Sequence, residues 1–281
     1  MAVIENIKAD LSDLTALKMV TGAFSDISAL KITSLRKAFE QNTFYYEQIS
    51  QLYQSVRLSA YMQKYLKYNK KQKLDTRPNT IHVAITSNHR FYGTINRDIM
   101  ERFISESKNP NEDRMIIGMT GRDFANSHPE IGPYNCIIFQ QDDPPKTEKD
   151  AFLKLTKPYD RVFIYYPKFL NMLTQSPDRV DIAYAPKDIT GGQHTIKYIF
   201  EPELPKILNF FELQIRGLLF ARVVLETELS RTATRLFAMD TAERHASDLI
   251  KNTKSELRRA KQGLLNRRLL ETFSSIAHHE S

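Results

Sequence analysis

The sequence predicts an α/β fold: a central sheet domain set between two long helices that pair with each other as an antiparallel coiled coil. Three observations predict it. Eleven of the twelve prolines lie within residues 78–202, and the twelfth, Pro205, follows at once. Before that stretch, apolar residues recur every three or four positions. After it, they recur in sevens.

The amino-terminal segment, residues 1–73, reads as one helix. Ile4, Ile7, Leu11, Leu14, Leu17, Val20, Phe24, Ile27 and Leu30 follow in steps of three or four, the spacing of one helical face. The stripe resumes at Leu35, Phe39, Tyr45, Ile49, Leu52 and Val56. No proline precedes Pro78, so nothing breaks a helix of about sixty residues. Gly22 is the only glycine of the segment, and it is expected to weaken the helix locally.

The middle segment, residues 78–202, carries short apolar runs at 81–86, 115–117, 136–139 and 162–166. They are rich in Val, Ile, Phe and Tyr and bounded by turn residues, which predicts buried strands. Cys136, inside one of these runs, reads as core. Helical stretches at 97–106 and 147–155 lie between the runs. Alternating strand and helix predicts a Rossmann-like sheet covered on both faces. Residues 196–201 are expected to add an edge strand.

The carboxy-terminal segment, residues 205–281, has no proline after Pro205. Leu229, Leu236, Ile250, Leu257 and Leu264 lie seven or fourteen apart. Leu225, Met239, Ala246 and Ala260 fill the second register. Together they make a heptad pattern of roughly five repeats. Glu243 interrupts the first register; Thr232 and Thr253 weaken the second. As helix, residues 225–276 extend about 75 Å, too long to be buried in a globular domain of this size. A helix with one narrow apolar stripe needs a partner, and the two terminal helices are the obvious pair. The expected shape is a rod with a compact domain partway along it. The plainer arrangement is a helical bundle around a sheet; sustained heptads favour the rod.

Bulk properties bound the function without choosing it. The formal net charge is +7 and the pI about 9.3, which suits an acidic protein surface, nucleic acid or an anionic membrane. No run reaches the roughly 18 apolar residues of a bilayer span. The first twenty residues contain three acids and read as neither a secretory signal nor an Arg-rich transit peptide. One cysteine excludes an internal disulfide framework and fits a reducing compartment. No Ser-His-Asp, paired-carboxylate or Cys/His cluster stands out. Residues 87–96 link a strand to a helix, where a phosphate can sit. They hold one glycine and no phosphate-loop pattern, so they read as packing residues. Residues 64–73 carry five lysines near Tyr61, Tyr65 and Tyr68. That mix suits nucleic acid, but reads more simply as an exposed helix end. His278 and His279 are adjacent and do not share a helix face, so they read as tail rather than a metal pair.

Local motifs and their order resemble the gamma subunit of F-type ATP synthases. The family's S-D-R-G-L-C-G-G-L-N after a strand resembles S-N-H-R-F-Y-G-T-I-N at residues 87–96. Its V-x-N-K-F-x-N resembles residues 165–171, Y-Y-P-K-F-L-N, and its Y-x-Y/F-E-P resembles residues 198–202, Y-I-F-E-P. Its S-E-x-A-A-R-M-x-A-M resembles S-R-T-A-T-R-L-F-A-M at 230–239. Its N-x-A-R-Q-x-x-I-T-x-E-L resembles residues 258–269, R-R-A-K-Q-G-L-L-N-R-R-L. There are departures. The amino-terminal K-I-T-x-A-M-x-M-V survives only at residues 16–20, Thr94 replaces one of the paired glycines, Asn266 the usual Thr and Arg268 a usual Glu.

The resemblance implies a non-catalytic central rotor stalk, in a standard synthase or as a gamma-like rotor of a specialised ATPase. Its expected partners are the alpha and beta subunits of the catalytic hexamer, an epsilon-type subunit and the membrane c-ring. Neither nucleic acid nor a membrane span of its own is expected. It implies no cofactor and no metal, and a peripheral place on the cytoplasmic face of the inner (plasma) membrane. Residues 251–268 hold seven bases and one acid, Glu256. Lys261, Gln262, Asn266 and Arg268 match family positions that contact the beta subunits, with charged or amide donors for acidic groups. Read alone, the stretch is more simply a solvated helix face; the resemblance brings the contact reading level with it. The competing reading of the whole chain is a basic coiled-coil nucleic-acid-binding protein, whose affinity would fall steeply with salt. The acids between the bases argue against a phosphate-tracking stripe. A small α/β enzyme with helical extensions is the third reading, without a recognisable constellation to support it.

Overall fold

A computed structural model describes residues 2–62, 79–141, 144–183, 201 and 203–279. The elements run α1 (Ala2–Met62), β1 (Thr80–Ile85), α2 (Ile95–Glu106), β2 (Asp113–Ile117), α3 (Met119–Asn126), a short 3-10 turn (Pro129–Ile131), β3 (Asn135–Ile137), α4 (Lys146–Thr156), β4 (Arg161–Phe169), β5 (Gln175–Asp181) and α5 (Leu204–His279). The chain is thus α/β with two long terminal helices. It divides into two compact units: Met1–Leu30 with Arg235–Ser281, and Lys31–Thr234.

The larger unit, Lys31–Thr234, contains the sheet. Its strand order is β3-β2-β1-β4-β5; β1 to β4 are parallel, and β5 returns antiparallel against β4. Helix crossovers lead from β1 to β2 to β3 on one side and then to β4 on the other, as in doubly wound folds. Strand alternation divides the core. Ile81, Val83 and Ile85 pack with Phe152 of α4, Phe211, Ile215 and Phe220 of α5, and Tyr53 and Val56 of α1. Ala84 and Tyr165 face α2 through Ile95, Ile99, Met100 and Phe103, and α3 through Ala125.

Within this unit α1 and α5 run antiparallel. Lys31 pairs with Glu228, Arg222 lies over the Phe39 ring at 5.6 Å, and Tyr53 donates to Glu212 at 3.2 Å. From Val223 to Ala233, almost every residue of α5 is buried, because the sheet covers one side and α1 another. Six of those buried residues are polar or charged: Glu226, Thr227, Glu228, Ser230, Arg231 and Thr232. Several are tied to backbone: Ser230 Oγ donates to the Pro167 carbonyl at 2.8 Å and Arg231 Nη2 to the Ile85 carbonyl at 3.1 Å.

The smaller unit is a helix pair. On α1 the half-buried or buried positions are Ile4, Ile7, Leu11, Leu14, Lys18, Thr21, Ser25 and Ser28, with Gly22 beside Thr21. On α5 they include Leu236, Met239, Glu243, Ala246, Ile250, Thr253, Leu257, Ala260 and Leu264. Both series step by three and four alternately, a mean period of 3.5. Gly22 and Glu243 lie opposite each other: a Cβ on Gly22 would lie 3.5 Å from the Glu243 carboxyl. The bulky carboxylate that interrupts the α5 register therefore faces the one position of α1 without a side chain. Gly22 does not interrupt α1, which continues through it.

Four sequence expectations need correction. Leu17, Val20, Phe24, Ile27 and Leu30 are not the inward stripe: they are 50%, 52%, 40%, 58% and 77% exposed. Beyond Leu14 their steps are 3, 3, 4, 3 and 3, which drift around the helix. The partner-facing positions keep the 3.5 period and fall instead on small or polar residues. Tyr45 and Leu52 likewise point outward, and their neighbours Tyr46 and Tyr53 take the inner places. Cys136 is exposed, because β3 is a three-residue edge strand with one side uncovered. The β5 strand and α3 escaped notice. The β5 sequence is polar and contains Pro177, which is tolerated because the strand is half-buried and sits Pro against Pro opposite β4. The expected edge strand at 196–201 lies outside the described residues apart from Glu201, as does the lysine-rich stretch 64–73.

Candidate functional site

Lys261, Gln262, Asn266 and Arg268 all lie on exposed positions of α5. Helical period sorts them into two pairs. Lys261 and Arg268 are seven residues apart and share the side next to the seam residues Leu257, Ala260 and Leu264. Gln262 and Asn266 are four apart and share a side that faces away from the seam. The expected contact group is thus split between two faces. The seven bases of residues 251–268 are all exposed, and Arg267 pairs along the helix with Glu271 at 3.2 Å.

Exposed apolar residues accompany them, and the sequence reading overlooked these. Leu265, Leu269, Leu270 and Phe273 are 59%, 49%, 69% and 67% exposed. On α1, Leu17, Val20, Phe24 and Ile27 make a second outward ridge. The signal for both was present in the sequence: more large apolar residues than one 3.5-period seam can take.

The carboxyl ends of β1 and β2 are where a doubly wound sheet usually binds a ligand. Here the chain fills that place itself. The first three N–H groups of α3 are taken by the segment leaving β1: Met119 donates to Asn88 Oδ1 at 3.2 Å, Thr120 to the Ser87 carbonyl at 3.0 Å and Gly121 to Thr86 Oγ1 at 2.9 Å. Gly118 and Gly121 permit this contact. A Cβ on Gly118 would lie 2.2 Å from the Thr86 carbonyl oxygen, and one on Gly121 2.5 Å from Thr86 Oγ1. Ser87 and Asn96 exchange two further hydrogen bonds, at 3.2 and 2.8 Å. The loop of residues 87–96 packs on α5, where a Cβ on Gly93 would meet Thr234 at 3.0 Å. The N-terminus of α3 is thus occupied by protein, which leaves none of its first three N–H groups for a phosphate. Among the described residues no group of three or more His, Cys, Asp or Glu side chains could hold a metal ion.

Charges near the sheet serve to clamp it. Arg102 on α2 donates to Glu106 at 2.8 Å, Arg179 on β5 pairs with Glu106 at 2.7 Å, and Lys168 on β4 pairs with Asp178 at 2.9 Å. Burial is the largest single influence and raises the Asp178 and Glu106 carboxyls, but the hydrogen bonds from Lys168 and Arg102 together with the charges of the surrounding cations outweigh it and hold both below the usual range. Glu226 is the opposite case: burial outweighs Arg222 and the Phe169 N–H and pushes its carboxyl up. Burial also pushes the Tyr165 hydroxyl up to about 12.

A family model described as ATP synthase matches residues 4–277. The chain belongs to the ATP synthase gamma-chain family. Gamma chains of Mesoplasma florum and Macrococcus caseolyticus are similar to it, at 24% identity covering 98% of both chains and 25% covering 99% of both. Among solved structures, the central stalk and c-ring of the Tetrahymena thermophila mitochondrial ATP synthase contains a chain with a TM-score of 0.60 and 19% identity, over 79% of this chain and 99% of that one. A chain of the Euglena gracilis mitochondrial enzyme, in an assembly of OSCP, F1 and c-ring, gives 0.55 and 17%, over 89% and 94%. These likenesses carry the fold. The gamma-family segment at residues 230–239 begins where α5 is buried against the sheet, at Ser230, and ends in the smaller unit, at Met239. Among the described residues no helix is long and apolar enough to cross a membrane.

Proposed function

We propose that this gamma-family chain is the central rotor stalk of a rotary ATPase or ATP synthase. It couples rotation of a membrane ion-conducting ring to ATP synthesis or hydrolysis in an alpha/beta hexamer. The observation that carries this reading is the family match along nearly the whole chain, residues 4–277. In this reading residues 1–73 and 205–281 form an antiparallel coiled coil that enters the hexamer, and residues 78–202 form a domain that meets the c-ring and an epsilon-type subunit. The assembly sits on the cytoplasmic face of the membrane. The chain contributes no active site; it presents different sides of one asymmetric shaft to successive beta subunits. The 3.5-residue period on both helices supports the coiled coil, since two interlocked helices resist bending and twisting together.

Lys261, Gln262, Asn266 and Arg268 serve as beta-subunit contacts. Their exposure on two faces of α5 suits a shaft that is read from more than one direction. Exposed charge-assisted contacts in water are each worth about 1 kcal/mol or less, so they can be exchanged as the shaft turns. The test is assembly of the alpha/beta hexamer with and without this chain. Coupled ATP turnover is expected only with it, and the purified chain alone is expected to have no ATPase activity. Stable, coupled hexamers without the chain, or binding to nucleic acid in preference to hexamers, would refute the reading.

A further inference from the structure

His82 shares the α2 side of β1 with Ala84 and is 3% exposed. Its ring lies 5.5 Å from that of Phe163. Both ring nitrogens are paired: Nδ1 lies 2.9 Å from the Tyr165 hydroxyl and Nε2 lies 2.8 Å from Glu112 Oε2. An ionised carboxylate only accepts, so Nε2 carries a proton whether the ring is charged or neutral. The bond at Nδ1 can run in either direction, because a phenol both donates and accepts.

The single proton of the Tyr165 hydroxyl has a second acceptor. Glu106 and Arg179 both reach that hydroxyl. Arg179 only donates, which leaves the Glu106 carboxylate. Its Oε2 is paired by charge with Arg179 but is buried without an aligned hydrogen bond. Glu106 is also where α2 grips the edge of the sheet, since it binds Arg102 of α2 and Arg179 of β5, and Arg102 reaches on to the Pro177 carbonyl of β5 at 2.5 Å. The other charged groups around His82 are held elsewhere. Arg114 stands across from it on β2 and donates to the Ser107 and Asn109 carbonyls. On β5, Asp181 stands opposite Phe163 and accepts from the Val162 and Ala183 N–H groups.

We propose that His82 is a proton sensor that sets the grip of α2 on β5 through the Tyr165 hydroxyl. With the ring charged, Nδ1–H donates to the Tyr165 oxygen, and the Tyr165 hydroxyl donates to Glu106. When the ring is neutralised, the Nδ1 proton passes to the Tyr165 oxygen as the Tyr165 proton passes to Glu106. Glu106 is 27% exposed and gives that proton to water. The Tyr165 hydroxyl then donates to Nδ1, and Glu106 keeps only its two arginines. Acid tightens the edge of the sheet and base loosens it. Imidazole is the side chain that ordinarily changes charge between about pH 5 and 8, so the device works in the range where cells live. It stands independently of the shaft reading.

The test uses the full chain with its histidine rings labelled with nitrogen-15, followed by magnetic resonance from about pH 5.5 to about pH 8. The His82 ring is assigned by its contact with the Phe163 ring. Both nitrogens are expected to be protonated at the acidic end, and Nδ1 alone to lose its proton at the other. Amide exchange of Arg179 and Val180 on β5 is measured at each pH as the ratio of parent to His82→Gln, so that the titration of Glu226, common to both, cancels. Protection in the parent is expected to fall about five-fold or more relative to the variant as His82 loses its proton, the loss of one hydrogen bond to a charged group. In Tyr165→Phe, where the ring still titrates, that fall is expected to vanish. A His82 ring that keeps one charge and one tautomer throughout overturns the proposal, and the parent's spectrum shows this even if a variant fails to fold. A protection ratio that stays within about two-fold, or a Tyr165→Phe chain that keeps the full fall, also overturns it.

Discussion

Replacing Gly118 by Ala should unfold the larger unit's central crevice, and the size of the effect can be worked from the contacts. Gly118 has φ 103° and ψ 153°, a conformation nearly restricted to glycine that costs a side chain about 1–3 kcal/mol. The added Cβ would also lie 2.2 Å from the Thr86 carbonyl oxygen. That oxygen is backbone and cannot swing aside, so α3 has to move away from β1. Moving it stretches three hydrogen bonds: Gly118 N–H to Ile137, Thr120 N–H to Ser87 and Gly121 N–H to Thr86. At about 1 kcal/mol each, the total loss is about 4–6 kcal/mol, a large share of the roughly 5–15 kcal/mol that stabilises a typical domain. Urea unfolding followed by circular dichroism measures it, with amide exchange on β1 and β2 to localise it. A loss below about 1 kcal/mol would show that the crevice is loosely filled and that the argument for its self-occupation is wrong.

Gly22→Ala should do the reverse. Gly22 lies mid-helix and its Cβ would meet the Glu243 carboxyl at an ordinary contact distance of 3.5 Å. Thermal unfolding is expected to show a gain of about 0.5–1 kcal/mol. Lys31→Met leaves the buried Glu228 carboxylate without the cation that pairs with it. A loss of about 2–4 kcal/mol is expected in urea, largely restored when Glu228→Leu is added. Glu226→Gln probes the raised carboxyl. A folded-state value above the unfolded one means the folded chain holds the proton more tightly. Stability from this group is therefore complete below the ordinary glutamate range and is lost as pH rises through the raised value. The variant should be at least as stable as the parent at neutral pH and should lack that decline. Unfolding midpoints across the acidic-to-neutral range measure both.

The fold was legible where burial dominates. The runs at β1, β2 and β4 are apolar because those strands are covered on both faces. The strand β5 was not legible, since an edge strand pairs through its backbone and leaves half of each side chain to water. The α1 stripe was misread for a related reason. Apolar periodicity reports which residues seek burial, not which partner buries them. Leu11 and Leu14 face α5, but Leu17 and Val20 point outward, so one chain alone could not separate the two demands. For the candidate site, the basic character of residues 251–268 was plain in the sequence. The split of Lys261 and Arg268 from Gln262 and Asn266 follows from helical period. The α1 ridge reads as core and the α5 ridge of Leu265, Leu269, Leu270 and Phe273 goes unread, because no pattern in one chain distinguishes a core stripe from a docking stripe.

The most direct test of the rotor reading uses Cys136, the single cysteine of the chain, which is exposed on β3 in the larger unit. A biotin-maleimide probe on Cys136 carries a bead while the alpha/beta hexamer is fixed to glass, and ATP is added. The account predicts sustained rotation of the bead in one direction that stops when ATP is removed. A hexamer that hydrolyses ATP at full rate while the bead shows only random angular motion would contradict it.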